Sequence, residues 1–232
     1  MKLLALDTSS LSCSVALQSD ATITERHEVI AREHTKLLTP MIRSILDEGR
    51  MQLKDLDAIV LGIGPGSFIG MRIAASVAQG LAHGAGLRIV PVSSLAAVAA
   101  EVFAVSDADE AIIAQDARMS EIYLGAYRRD GEDLPELMFA ERLHGHLPIE
   151  ELDGTDATGR LAAGFGWQRY PELTAINAGL CGGVSDICHP RARFLLALGA
   201  RGLKRGLDVD PAEVVPAYLR HKVAEKPAEP RS

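Results

Sequence analysis

Three short clusters in this 232-residue chain carry residue types that could do chemistry. The first is Asp7-Thr8-Ser9-Ser10. A carboxylate followed by hydroxyls in a tight turn can hold a metal-bound phosphate between backbone amides. The same tetrapeptide can instead be an Asx or ST turn that satisfies its own backbone, which is the commoner case. The second cluster is Gly62-Ile63-Gly64-Pro65-Gly66-Ser67-Phe68-Ile69-Gly70. Gly64, Gly66 and Ser67 ahead of a helix start could cradle an anion. No Lys-Ser/Thr pair follows, and the glycine spacing misses the dinucleotide fingerprint, so a tight strand-to-helix turn is an equal reading. The third is Asp116-Ala117-Arg118, where Arg118 could position a phosphate or simply pair with Asp116 at a strand end.

Other chemistries find little support. His27, His34, His83, His144, His146, His189 and His221 are dispersed; only His144 and His146 lie close, without nearby Cys, Asp or Glu. That is a poor ligand set, and no bound metal or other cofactor is expected; the histidines read as solvated. Cys13, Cys181 and Cys188 are odd in number and lack paired short spacing, which fits a reducing cytoplasm. A net charge of −7 and a pI of about 5.5 offer no footprint for nucleic acid, so any contact with RNA would be indirect. No apolar run is long enough to span a membrane, and Leu3-Leu4-Ala5-Leu6 reads as a first strand rather than a signal core.

The elements that must position these clusters follow from periodicity. Residues 2–7 form an apolar run suited to a strand buried on both faces. Residues 12–17 alternate with period two, and 21–30 make a weaker third strand. Leu37, Leu38, Met41, Ile42, Ile45 and Leu46 repeat at helical spacing up to Gly49, a plausible cap. Pro40 either kinks that helix or occupies its first turn. A strand over 58–63 leads through the glycine loop to a helix capped by Ser67 and running to about His83. A strand over 88–92 and a helix from Ser94 to about Ala104 complete a mixed sheet with packed helices. Polarity then rises at Ser106-Asp107-Ala108-Asp109, which marks a boundary. The second half again opens with three strands, at 111–115, 122–127 and 136–143, which hints at duplication. Residues 147–187 give no clear assignment, a strong helix spans about 191–204, and the tail from His221 reads as disordered. The expected organisation is an α/β chain of two lobes, 1–105 and a more degenerate 106–220, with 221–232 as tail.

Together, several segments resemble the TsaB (YeaZ) family of tRNA threonylcarbamoyladenosine synthesis. They are Leu4-Ala5-Leu6-Asp7-Thr8-Ser9, Cys13-Ser14-Val15-Ala16-Leu17, and His34 with Leu38 and Pro40. Gly64-Pro65-Gly66-Ser67-Phe68 with Gly70 and Arg72-Ile73 is the most specific. Asp116-Ala117-Arg118-Met119 with Glu121 and Tyr123, and Pro216 with Tyr218-Leu219-Arg220, complete the match. Ile69, Met71 and Ala74 depart from the family's usual Thr, Leu and Gly. The resemblance implies a two-lobed actin-like ATPase (ASKHA) fold, each lobe a mixed sheet with packed helices. It also implies a peptidase M22-like paralogue, TsaD, whose metal-binding His-x-x-x-His falls here on Ser94 and Val98. On that reading the chain is a non-catalytic scaffold that binds TsaD, and TsaE through it, for modification of adenosine 37. Asp7, Thr8, Ser9, Gly64, Gly66, Ser67, Asp116 and Arg118 become remnant phosphate turns, with nucleotide held at most at a subunit interface. The partner surface, for TsaD or for a homodimer, is expected on two helices through Leu38, Met41, Ile45, Met71, Ala74, Ala75 and Ala78, exposed in the monomer. A small-metabolite kinase using Asp7 and Asp116 is the enzyme alternative, and a metallopeptidase is a third reading.

Overall fold

Leu3, Leu4, Ala5 and Leu6 have no exposed surface, as befits an apolar run lying between two layers. They form β1 (Lys2–Asp7), which pairs antiparallel with β2 (Ser12–Ser19) and parallel with β4 (Ala58–Gly62). β3 (Thr22–Val29) flanks β2, and β5 (Ile89–Val92) flanks β4, giving the order β3-β2-β1-β4-β5. The structure, a computed structural model, describes residues 1–30, 32–152 and 154–220. The tail expected at 221–232 lies outside the described residues.

The second sheet repeats the first strand for strand. β6 (Glu110–Arg118), β7 (Glu121–Arg129) and β8 (Pro135–His144) form the antiparallel meander. β9 (Arg160–Ala163) and β10 (Gly183–Val184) then add in parallel, giving β10-β9-β6-β7-β8. These last two strands fall within the stretch that periodicity left unassigned. They are four and two residues long, too short to show alternation. The result is an α/β fold of two mixed five-stranded sheets with packed helices.

Helices fill the faces: α1 (His34–Glu48), α2 (Phe68–Ala85), α3 (Ser94–Val105), α4 (Phe165–Arg169), α5 (Pro171–Ile176) and α6 (Ala192–Lys204). Pro40 neither starts α1 nor ends it; the helix begins at His34 and runs through. Lys36, whose carbonyl the proline four residues on cannot serve, is an exposed residue. Gly49 closes α1 without a left-handed turn, which falls instead on Arg50. What Gly49 supplies is space, since a Cβ there would sit 2.7 Å from Leu17 Cδ2.

The two long helices nearest the lobe junction are exchanged. α3 follows the first sheet, yet Leu95, Val98, Ala99, Val102 and Phe103 pack with Ala111, Ile113, Tyr123 and Tyr127 of the second. α6 follows the second sheet, yet Leu195, Leu196 and Leu198 pack with Leu3, Ala5, Val60 and Val90 of the first. α3 ends at Val105 and the second sheet starts at Glu110, while α6 packs by its contacts on the first sheet. Gly199 and Gly202, one turn apart, let α6 lie tight on Val60 and Val90. The first amides of α6 are served from β2 and β3: Ala192 N donates to Ser14 Oγ at 2.8 Å and Arg193 N to Glu25 Oε1 at 3.1 Å. A carboxylate at a helix N-terminus suits both its free amides and its dipole.

Candidate functional site

At the end of β1, Asp7 is sealed rather than presented. It has no exposed surface. Its Oδ1 accepts the Ser9 amide and hydroxyl, both at 2.8 Å, and its Oδ2 accepts the Ser94 hydroxyl at 2.5 Å. Ser94 Oγ in turn accepts the Gly64 amide at 3.0 Å. Burial raises the Asp7 carboxyl above its ordinary range, opposed by these hydrogen bonds and by nearby His34. The bland reading of this cluster, a turn that satisfies itself, is thus what Asp7 does. Thr8 is also inward, its hydroxyl donating to Gly70 O at 2.7 Å.

The glycine loop is shaped to meet this turn. Ser67 N donates to Ser9 O at 2.6 Å, and Ser67 Oγ caps α2 through the Gly70 amide at 3.2 Å. A Cβ at Gly66 would strike Ser9 O, and one at Gly70 would strike Thr8 O. Gly64 has φ +91°, with Met71 Sδ in the place of any side chain. Two of these glycines therefore serve contact between backbones and the third a left-handed conformation.

On the facing lobe, Arg118, Met119 and Ser120 all have positive φ in the turn between β6 and β7. Asp116 Oδ1 accepts the Arg118 amide at 2.8 Å and the Tyr170 hydroxyl at 2.9 Å; its Oδ2 lies 3.4 Å from the Arg118 guanidinium. Arg118 is otherwise open, with its side chain 72% exposed. A closing segment straps the turn down. Ala217 N donates to Ile63 O at 2.9 Å, and Tyr218 accepts Arg72 Nε at 3.0 Å. Arg220 donates to Ala117 O at 3.0 Å and pairs with Glu121 at 2.5 Å.

Between the lobes these parts enclose a cleft of about 740 Å³. Ser9, Gly66, Ser67, Asp116 and Arg118 line it; Asp7, Thr8 and Gly64 do not. Sequence reasoning missed His34, Gln115, Phe165, His189 and Arg220, all of which also line it. His34 is buried, with Nε2 3.2 Å from Ser12 O, so it is not a solvated histidine. His146 is not either: its Nδ1 lies 3.0 Å from Glu172, and its Nε2 is buried without a partner. Burial and neighbouring His27 push His189 down to about 4, and its ring packs on Phe165 at 5.4 Å. Three arginines, Arg32, Arg118 and Arg220, face one lining carboxylate, Asp116. The cleft is thus biased towards an anion, but it lacks a second open carboxylate to share a metal with phosphate. Among the described residues no three His, Cys, Asp or Glu side chains gather as a metal set.

The residues expected to form an exposed partner surface are core residues. Leu38, Met41, Ile45, Met71, Ala74, Ala75 and Ala78 are at most 6% exposed; all but Met71 pack with β1, β2 and β4, and Met71 lies against Gly64. Helical spacing tells that a stripe is apolar, not what covers it. The open face of α2 is a quarter to half turn away. Ile69 is 70% exposed, Ile73 and Val77 are partly open, and Ser76, Gly80 and Gly84 are exposed.

The TsaD family model, described as tRNA N6-adenosine threonylcarbamoyltransferase, matches residues 20–146. The chain is 36% identical to the tRNA threonylcarbamoyladenosine biosynthesis protein TsaB of Escherichia coli over 232 residues, 97% of each chain. It is 37% identical to TsaB of Haemophilus influenzae over 234 residues, 97% of this chain and 96% of that one. Among solved structures it is similar to YeaZ from Pseudomonas aeruginosa, with a TM-score of 0.86 and 36% identity over 94% of this chain and 99% of that one. No helix of the described residues is long and apolar enough to cross a membrane.

Proposed function

The chain belongs to the TsaB family, and from that premise we propose that it serves threonylcarbamoyladenosine synthesis on tRNA as a non-catalytic subunit. In this reading it binds TsaD, and TsaE through it, in the cytoplasm, and touches tRNA only through them. The observation that carries the non-catalytic part is the state of Asp7. A carboxylate with no exposed surface and three internal hydrogen bonds is committed to holding the turn. A kinase of the actin class would need Asp7 and Asp116 both facing the cleft, and only Asp116 lines it. The two histidine positions of the TsaD motif are Ser94, bonded to Asp7, and Val98, packed in the core. A hydroxyl and an isopropyl group cannot stand in for two imidazoles, which also counts against the peptidase reading. The subunit carries no cofactor of its own, and nucleotide would be held only where a partner completes the cleft.

For the partner surface the open face of α2 is favoured over its buried one. Gly80 and Gly84 have nothing within 4 Å of a Cβ position, so a second helix can approach the backbone there. The same face would serve a homodimer that competes with TsaD. Reconstitution tests both parts. Modification of tRNA by TsaD and TsaE should require this chain, and Gly80→Arg should abolish TsaD capture and modification while the melting temperature holds. Modification that proceeds without the chain, or ATP or peptide hydrolysis by the chain alone, would overturn the proposal.

A further inference from the structure

A second concavity of about 250 Å³ lies where β5, β8 and α6 meet, and it shares no lining residue with the cleft. Glu141 of β8 stands in its wall. The hydroxyls of Tyr127 and Ser93 both donate to one of its oxygens, Oε1. Tyr127 is 2% exposed, so this carboxylate is gripped from the protein side. The other oxygen, Oε2, accepts no hydrogen bond among the described residues and yet is not sealed off. Burial raises the Glu141 carboxyl above its ordinary range, opposed by the Ser93 and Tyr127 hydroxyls. Its role is not that of a helix cap. Ser93 already caps α3 through the Leu95 and Ala96 amides, and a half-buried carboxylate without a counter-ion is costly to keep.

A cation waits in the same pocket. Arg201 lines it but is engaged by Asp130 and by Pro135 O. Arg205 also lines it, is exposed, and its guanidinium has no hydrogen bond or ion pair among the described residues. Glu141 and Arg205 therefore share one small pocket without touching each other. Val92, Leu198 and Leu207 supply apolar wall to the same pocket. The volume falls below the roughly 300 Å³ at which drug-sized sites begin, which suits a small metabolite.

We propose that this pocket binds a small zwitterion, an α-amino acid with a short aliphatic side chain, its ammonium on Glu141 and its carboxylate on Arg205. Charge-assisted hydrogen bonds at both ends would fix its orientation, and the apolar walls would take the side chain. A plain amine or a plain acid would satisfy one end and leave the other charge as it is.

The site is independent of the partner reading, and the isolated full-length chain suffices to test it. Titration with L-valine, isobutylamine and isovalerate, followed by NMR shifts of Tyr127 and Ser93 amides, separates the charges. L-valine should bind saturably at millimolar concentration, and each single-charge analogue at least tenfold more weakly. Glu141→Gln keeps the size and one acceptor; it should weaken L-valine about tenfold, ~1.4 kcal/mol, and leave isovalerate unchanged. Arg205→Ala, at an exposed position, should do the reverse, sparing isobutylamine. No saturable binding of L-valine, an amine that binds as tightly as the amino acid, or binding indifferent to both variants would overturn the proposal.

Discussion

Replacing Asp7 by Ala and by Asn separates a structural carboxylate from one that meets a ligand. Asp7→Ala removes the acceptor of three hydrogen bonds inside a site with no exposed surface. The Ser9 amide, the Ser9 hydroxyl and the Ser94 hydroxyl are left without their partner, at about 1–3 kcal/mol for each group that cannot find another. Hydroxyls can rotate, so a net loss of about 3 kcal/mol is expected. For a chain of this size that lowers the melting temperature by roughly 6–12 °C. Asp7→Asn keeps Oδ1 for Ser9 and disturbs only the contact with Ser94, while removing a charge that burial disfavours. Its cost should stay under about 1.5 kcal/mol. Because burial raises the folded-state pKa of Asp7, its proton contributes stability that is full below the unfolded value of 3.8 and is lost as pH rises through the folded value. Asp7→Asn should remove that segment of the stability–pH curve. Thermal melts across acidic pH, beside reconstituted tRNA modification below the melting point, make the comparison. Modification should fall only in proportion to unfolding. An Asn variant that folds as well as the parent, captures TsaD and yet supports no modification would refute the reasoning, since the carboxylate would then be acting on a ligand.

Two further outcomes follow from the same geometry. Gly70→Ala should destabilise by about 1–3 kcal/mol, because its Cβ must displace the backbone at Thr8; Gly80→Ala, with open space around it, should stabilise by about 0.5–1 kcal/mol. Paired denaturant titrations read the opposite signs, and equal effects would show that helix propensity alone is at work. His189, depressed to about 4 from 6.5, is neutral when folded and protonates first when unfolded, so its contribution is present above pH 6.5 and lost as pH falls towards 4. His189→Phe, which keeps a ring against Phe165, should flatten the stability curve across that window, and an unchanged slope would place the titration elsewhere.

Local chemistry was legible wherever it was decided locally. Alternation gave β2, an apolar run gave β1, and Ser67 was readable as the cap of α2. The fate of Asp7 was not, because its second oxygen is held by Ser94, 87 positions away. The cleft was half legible: both turns could be named, but His34, Phe165 and His189 come from elements that only the fold brings there. The partner surface failed for a related reason. Met41, Ala74 and Ala75 have the composition of an interface, and the first sheet is what they meet. The open residues Gly80 and Gly84 carry almost no signal in hydropathy, since a glycine on a bare helix face looks like any other glycine.

The exchange of α3 and α6 sets how this molecule can be cut and how it can move. A fragment ending at residue 105 would keep the first sheet but lose Leu195, Leu196 and Leu198, which cover Leu3, Val60 and Val90. The complementary fragment would lose Val98, Val102 and Phe103 from the face of Ile113 and Tyr127. Each half would thus expose a whole sheet face, so neither is a unit that folds by itself, despite the symmetry of their strands. Any change in the cleft must likewise slide two packed helices past one another, a shear of small amplitude rather than a swing about a flexible joint. So interlocked, the two sheets keep a nearly fixed relation to each other across the cleft.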